Sequence, residues 1–567
     1  MTDREGNVLE ISGPPAPQLD ADLSLAEVLL SSMRKYHVKS IAEFEVETGR
    51  ELTYGHMVRE SLSAVQGLKS EGVTENSVVS VISFNSQECH VVILACIFIG
   101  ATVAPIDPSL TAEEMVSLME LVSPTVVFTE GGKTLRKVEN ALMLISAAPL
   151  LVVSSGRRHS YLTFQALLQP TDPEFRPSIS NPEDHVAFVL FTSGTSGLPK
   201  GVMLTDVYLL QNMPHFSRKI DMQPTALLTS PVFWLSGAMI LLGSLIGGLK
   251  LVFLRGPSKE AVLLSSIQNY KANIWFSPPT TLNALLNFPG KDAYDLSSLV
   301  VLSVGGAILS ADSALRIQKE LFRNKISILQ GYGMTEMGVI ATGLPGLNKP
   351  GSCGVLKPGI KCRIEDLETG DSLGPGQEGE ICLKSPFMMK GYINNPEATA
   401  ATFDDNGWFH TGDIGYYDED GFLFVIDRLK DLFFYKSYQI APAEIENVLR
   451  THPAVKDVAV FGIPHPIDGD HATAFVVANK AISETQLLEF VAERVSEKKQ
   501  IRGGIRFVEF IPKTSTGKPK RKALRAQLLA ELQGTNFVKR PWMSVTRAKK
   551  KAPNKLQLLR SQSTSCS

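Results

Sequence analysis

Residues Phe191 to Gly201 read FTSGTSGLPKG and directly follow the apolar, β-branched run HVAFVLF. A strand, a loop of small polar residues and a single lysine are the materials of a phosphate-binding loop. The hydroxyls of Thr192, Ser193, Thr195 and Ser196 donate hydrogen bonds, Gly194 and Gly197 let backbone amides approach an anion, and Lys200 supplies positive charge. Polyphosphate is the ligand this chemistry predicts. The stretch is not a Walker A loop, which requires GxxxxGK followed by Ser or Thr, because Lys200 stands between Pro199 and Gly201. A surface loop of small polar residues would explain the composition alone, but not the ordered motifs that follow it.

The elements that must hold such a loop alternate along the chain. From Val78, the runs VVSVISF, TVVF, HVAFVLF, ALLTS, KLVFL, NIWF, LVVLS and ISILQ are separated by longer helical segments. That alternation predicts βα units and mostly parallel sheets. Between about 348 and 427 the pattern changes to short strands punctuated by Gly and Pro, such as GEICLK and GFLFVID, which predict a β-rich antiparallel or barrel subdomain. After Arg428 come a helix over Pro442–Thr451, the strands VAVFG and TAFVVA, a helix over Thr485–Lys498, the strand IRFVEF and a helix over Pro519–Leu532. The expected fold class is therefore α/β: a large N-terminal domain (25–429) of parallel-sheet α/β subdomains with a small β-rich subdomain (348–427), then a small mobile α+β domain (430–533). A basic, disordered tail (534–567) completes the expected organisation.

The chain has 567 residues, 44% of them hydrophobic, which is the composition of an ordinary folded protein. Its 56 basic and 58 acidic residues leave a formal charge of −2, so nothing in the balance points to nucleic acid. The six cysteines lack paired CxxC spacing, which fits a reducing compartment. The polar, acidic N-terminus carries no secretory pattern. The most apolar segment, Val91 to Ala104, is shorter than the ~20 residues a bilayer span needs, and it reads as a buried helix and its exit. Beyond Gly534 there are eight basic side chains and no acidic ones, which predicts either a solvated tail or weak contact with anionic lipid. The last residues, Ser565-Cys566-Ser567, do not match a Ser-Lys-Leu peroxisomal address. These features together predict an intracellular protein, cytoplasmic or peripheral to an organelle membrane.

Five further motifs follow the loop in order: SVGGA (303–307), QGYGMTE (330–336), GWFHTGD (407–413), DRLKD (427–431) and PKTSTGK (512–518). In this order and spacing, over about residues 25 to 530, the chain resembles the adenylate-forming superfamily that includes acyl-CoA synthetases, coumarate-CoA ligases and beetle luciferases. The resemblance implies an enzyme that binds ATP, Mg²⁺ and CoA together with a small carboxylic acid. It also implies a large N-terminal domain and a small mobile C-terminal one.

Roles carried over from the resemblance agree with residue chemistry. Gly331 and Gly333 would allow a tight backbone, Tyr332 would stack on the purine, Thr335 would bond an α-phosphate, and Glu336 would hold Mg²⁺, a hard cation that prefers oxygen ligands. Gly305, Gly306 and Ala307 would pass beside the adenine or the acyl group. Asp413 would accept from the ribose hydroxyls, with Arg428 near the same sugar or the phosphate, while His410 reads as a packing histidine. Lys518 would be the main catalytic cation, since an ammonium beside the α-phosphorus meets charge that grows in the transition state. Lys430 would be the hinge about which the small domain turns between half-reactions.

Two departures from the family pattern bear on the substrates. The loop expected along the pantetheine channel reads Lys436-Ser437-Tyr438-Gln439, with Ser where relatives usually carry Gly, so Lys436 is a candidate CoA contact while the thiol step is the less secure half. In SPVFWLSGAMILLG, Trp234 stands where luciferases and coumarate-CoA ligases commonly present His. Trp234, Leu235 and Met239 are therefore candidate walls of an apolar acyl channel, with a core aromatic as the competing reading of Trp234. The expected function is ATP-dependent acid-thiol ligation of a medium or long chain fatty acid. The rivals are an aromatic-acid ligase or luciferase-like enzyme, and a noncatalytic nucleotide or lipid sensor. Lys518→Ala should lower pyrophosphate release on the order of 10² to 10³-fold; a loss below about threefold would make it an ordinary surface lysine.

Overall fold

The computed structural model describes residues 9–17, 23–146, 148–154, 161–172, 174–177, 179, 181–193, 199–213, 223–307, 309–436, 438–465, 468–514 and 517–532. The expectations placed on Gly194, Thr195, Ser196, Gly197, Ser437 and the tail lie outside these residues. The chain divides into two compact units, Met1–Ile426 and Asp427–Ser567.

The first unit carries two large mixed sheets and a smaller antiparallel one. One large sheet has nine strands, running Val355–Leu356, Gly338–Thr342, Ile328–Met334, Val301–Val304, Ile274–Ser277, Thr225–Leu228, Lys250–Phe253, Ile41–Glu45 and Glu51–Thr53. Its six middle strands are parallel, as βα connections require, while hairpins turn the two edges antiparallel. Chain order reverses between Thr225–Leu228 and Ile274–Ser277, because the strand that follows the first, Lys250–Phe253, lies on its other side. In open α/β sheets a crevice opens at such a reversal, beyond the C-terminal strand ends.

The second large sheet has eight strands, ordered Gly391–Tyr392, Pro199–Thr205, Val186–Ser193, Thr102–Ile106, Val78–Ile82, Val126–Thr129, Leu150–Val153 and Leu162–Thr163. The apolar segment from Val91 splits between a helix, Gln87–Ile99, buried along its whole length, and the strand Thr102–Ile106. Ser86 caps the helix by accepting from the Cys89 amide, and Gly100, at φ 87°, ends it in a left-handed turn that a side chain would strain. Among the described residues no helix is long and apolar enough to cross a membrane.

The region 348–427 does not close on itself as a separate subdomain. Most of its strands form the small sheet, where Lys361–Glu365, Gly379–Lys384 and Phe409–Tyr417 pair antiparallel and Ile11–Ser12 adds an edge. Val355–Leu356 and Gly391–Tyr392, however, are recruited by the two large sheets. Short strands at a sheet edge add to whichever ladder offers free partners, and composition does not say which.

In the second unit, Val455–His465 and Gly469–Ala478 form a long hairpin flanked by Phe433–Tyr435, Tyr438–Ile440 and Ile505–Phe507. Helices Pro442–Thr451, Glu484–Ala492 and Arg521–Leu532 accompany it. Asp427, the first residue of this unit, is tied to it by hydrogen bonds. The Asp427 carboxylate accepts from the amides of Ala443 and Arg428, both at 2.8 Å, and so caps the helix Pro442–Thr451, whose own N-cap Ala441 has no side-chain acceptor. Around it, the nearly buried Arg521 guanidinium reaches both Glu446 Oε1, at 2.8 and 3.1 Å, and Asp431 Oδ2, at 3.0 Å.

Burial, reinforced by the charge of Glu446, raises the Asp427 pKa to about 6 against the pull of Arg521 and the two amides. A raised folded pKa means that bound proton stabilises. The contribution is complete below the unfolded value of 3.8 and is lost as pH rises through about 6, on the order of 3 kcal/mol in all. Asp427→Asn should therefore flatten the pH dependence of unfolding of the second unit between about pH 4 and 7. Thermal denaturation of the full chain across that range reads this out, and parallel profiles for both proteins would refute it.

Candidate active site

The hairpin Val186–Ser193 and Pro199–Thr205 sets Thr192 directly opposite Lys200. The next strand, Gly391–Tyr392, pairs with the same hairpin so that Tyr392 faces Val202. Residues two apart on a strand share a face, so Lys200 and Tyr392 become diagonal neighbours. The Lys200 ammonium lies 4.4 Å from the Tyr392 ring centroid, a cation–π contact that orients it.

Tyr392 also reaches the opposite large sheet. Its hydroxyl donates to Glu336 Oε1 at 3.0 Å, where Glu336 follows the strand Ile328–Met334 and is only 8% exposed. The Glu336 carbonyl accepts from the Met389 amide at 2.8 Å, and the neighbouring Thr335 carbonyl accepts from the buried Tyr208 hydroxyl at 2.8 Å. Burial, with the negative charge of Glu336 beside them, drives the phenol pKa values of Tyr208 and Tyr392 upward, so both stay protonated donors. The motif is held tightly upstream as well. A Cβ on Gly333 would stand 2.5 Å from the Gly338 carbonyl oxygen, which excludes any other residue there without a backbone shift.

Tyr332 donates to Asp413 Oδ2 at 2.7 Å, joining two residues that the sequence assigns to the nucleoside. Asp413 is 3% exposed and sits on Phe409–Tyr417, its amide donating to Thr411 Oγ1 at 3.0 Å. Gly305, Gly306 and Ala307 leave the C-terminal end of Val301–Val304, and Gly305 lies so near the Gly331 carbonyl that a Cβ would meet it at 3.1 Å. His410 is half-buried and bonds Glu380 at 3.0 Å, a packing role.

The candidate acyl residues separate. Met239 is 5% exposed and belongs to the large apolar core, against which Leu235 packs. Trp234 stands at the N-terminus of the helix Leu235–Gly247, half-buried and edge-on to Phe233 at 5.9 Å. That turn follows the strand Thr225–Leu228, beside the reversal of chain order.

Arg428, Lys430, Lys436 and Lys518 belong to the second unit. Lys518 closes a tight loop in which its amide donates to Thr514 Oγ1 at 3.1 Å and its carbonyl accepts from the Thr514 amide at 2.8 Å. Lys513 makes an ion pair with Asp457 at 2.7 Å. Lys430 lies in the short helical turn Leu429–Asp431. Lys436 adopts φ 47° in the two-residue link between Phe433–Tyr435 and Tyr438–Ile440, the backbone region such links require. Sequence reasoning assigned no role to Tyr392, Tyr208, Arg521 or Asp427. The dipeptide Gly391-Tyr392 was the available signal for the first.

Thr335 and Glu336 offer hydroxyl and carboxylate oxygens, the donor set that suits Mg²⁺. With an oriented ammonium at Lys200 and the Tyr332–Asp413 pair, the first unit can hold a polyphosphate, a hard cation and a ribose. Comparisons with known proteins agree. The profile of the AMP-binding enzyme family matches residues 31–393, and that of the AMP-binding enzyme C-terminal domain matches 444–518. The chain is 35% identical to luciferin 4-monooxygenase of Nipponoluciola cruciata over 87% of its own length and 93% of the relative's. It is 33% identical to peroxisomal OPC-8:0-CoA ligase 1 of Arabidopsis thaliana, over 90% and 93% of the two chains. Among solved structures, the anthranilate CoA ligase AuaEII in complex with anthranoyl-AMP superposes with a TM-score of 0.83 at 25% identity, covering 91% of this chain and 99% of that one.

Tyr392→Phe removes the hydroxyl that Glu336 accepts. The loss of a hydrogen bond to a buried charged group should cost about 1.5–3 kcal/mol of stability, and pyrophosphate release should fall about tenfold as the carboxylate loses its aim. Calorimetry and a pyrophosphate assay check the two together, and an unchanged melting profile would contradict the bond.

Proposed function

The chain belongs to the AMP-binding enzyme family, within the adenylate-forming superfamily, and on that premise we propose that it is an acyl-CoA synthetase acting on a medium or long chain fatty acid. The acid's carboxylate oxygen attacks the α-phosphorus of ATP and the bond to pyrophosphate breaks, leaving an acyl-adenylate. The sulfur of CoA then attacks the acyl carbon, AMP departs with the bonding electrons, and the thiol proton passes to water.

The observation that carries this reading is the run from Lys200 through Tyr392 to Glu336, which joins the phosphate loop of one sheet to the carboxylate of the other. Lys200 holds the β- and γ-phosphates, Thr335 the α-phosphate, and Asp413 the ribose once Tyr332 releases its oxygen to the sugar. Thr335 and Glu336 would hold Mg²⁺, which when bound neutralises phosphate charge. Lys518 brings the second cation to the phosphorus under attack, since an ammonium there stabilises charge that appears only in the transition state.

Trp234 supports the choice of acid. It is a large, half-buried apolar ring outside the core clusters, on the turn that follows the strand beside which chain order reverses. The same ring favours a second reading, an aromatic acid stacked against it, and the similarity to luciferin 4-monooxygenase and to the anthranilate ligase leans that way. Pyrophosphate release from the full chain should be measured with octanoate, palmitate, coumarate, anthranilate and luciferin, each with and without CoA. The proposal expects the saturated acids to lead and CoA to speed turnover. Preference for the ring acids, or light from luciferin and oxygen, would select the second reading, and no release from any acid would defeat both.

A further inference from the structure

The hairpin of the second unit ends in two imidazoles and a carboxylate that the adenylation chemistry does not use. Register pairs His471 with Ile463 and Gly469 with His465, so His465 and His471 lie on the same face as diagonal neighbours. Their rings stack with centroids 3.9 Å apart and planes 13° from parallel. Asp468 joins them from the turn: its Oδ2 accepts from His471 Nε2 at 2.9 Å and lies 3.5 Å from His465 Nδ1. These three donor atoms all fall within 4.8 Å of one another.

We propose that His465, Asp468 and His471 form a binding site for a divalent transition metal of the zinc class. Two imidazole nitrogens and one carboxylate oxygen are the ligands such ions select over Mg²⁺ or Ca²⁺. Bonds of about 2.0–2.2 Å put neighbouring ligand atoms about 3–3.5 Å apart around a tetrahedral or octahedral ion, and two of the three separations already have that size. The Asp468 amide lies 3.3 Å from His465 Nδ1, and an ion bound at that nitrogen takes the place of this contact. An ion bound at His471 likewise takes the place of the Nε2 contact with Asp468. The side chains are partly exposed, at 36%, 18% and 18%, which gives an ion a path in and leaves coordination positions for water.

A neighbouring cation makes the site testable beyond the ligands themselves. Lys436 Nζ lies 3.8 Å from Asp468 Oδ1, and the Lys436 amide donates to the Asp468 carbonyl at 2.8 Å. The ammonium and the metal ion therefore share one carboxylate and oppose each other. A second cluster, Glu365, Cys382 and His410 in the first unit, lacks this openness, because the Arg363 guanidinium is already paired with Glu365 and with Asp404 at 2.8 Å.

The test uses tag-free full-length protein with Co²⁺ followed by visible absorption and Zn²⁺ followed by competition with a chromophoric chelator. One equivalent should bind in the micromolar range, and Co²⁺ should show ligand-field bands. His465→Ala, His471→Gln and Asp468→Asn should each weaken binding by about tenfold or more, with circular dichroism confirming the fold of each. Lys436→Met should tighten binding by about threefold, since it removes the competing charge. Wild-type protein without a stoichiometric site, or variants at His465 and His471 that keep its affinity, would overturn the proposal.

Discussion

A carboxylate at 8% exposure, in the seam between two sheets, is the constraint around which the first unit is arranged. A buried carboxylate is costly unless it is hydrogen-bonded, so Glu336 needs a donor, and the donor comes from the other sheet. Tyr392 is on the edge strand of the eight-stranded sheet, whereas Glu336 follows a strand of the nine-stranded one. The Tyr208 hydroxyl, bonded to the Thr335 carbonyl, makes the same crossing one residue earlier. The contacts that hold Glu336 are thus also contacts between the two sheets, and the same Tyr392 carries Lys200 beside its ring.

Much of this architecture was legible in the chain because βα alternation and the six ordered motifs are local signals. Eight strands between Val78 and Gln330 were readable from their β-branched runs, and the helix Pro442–Thr451 from its proline start, whereas Thr102–Ile106, Leu150–Val153, Leu162–Thr163 and Pro199–Thr205 were not. The strand Ile41–Glu45 was not, because Glu43 and Glu45 give it the look of a solvated segment. Both acids are fully buried, Glu43 against His90 at 2.7 Å and Glu45 against Arg255 and Thr48. Pairing across 47 residues of sequence turns a polar pattern into a core strand, and no window on the chain contains that information.

The site shows the same division. Residue types within a motif were readable, but the partners that fix them were not, because Tyr208 and Tyr392 come from separate elements at 127 and 56 residues from the carbonyl and carboxylate they bind. In the motif DRLKD the resemblance implies roles for Arg428 and Lys430, while its first residue, Asp427, caps a helix that starts fifteen residues later. Arg521, three residues past Lys518, joins Asp431 to the helix residue Glu446. The turn Leu429–Asp431 and the helix Arg521–Leu532 are thereby tied to the helix Pro442–Thr451.

Trp234 belongs to none of the apolar core clusters, whereas the residues around Glu336 are interlocked across two sheets. The two kinds of position differ in how freely they can drift through generations of mutation. Exchange of the indole disturbs little of what keeps the chain folded, while almost any change at the carboxylate is felt in both layers. A scaffold divided this way can vary at the start of the helix Leu235–Gly247 by small, survivable steps while the seam between its sheets stays as it is.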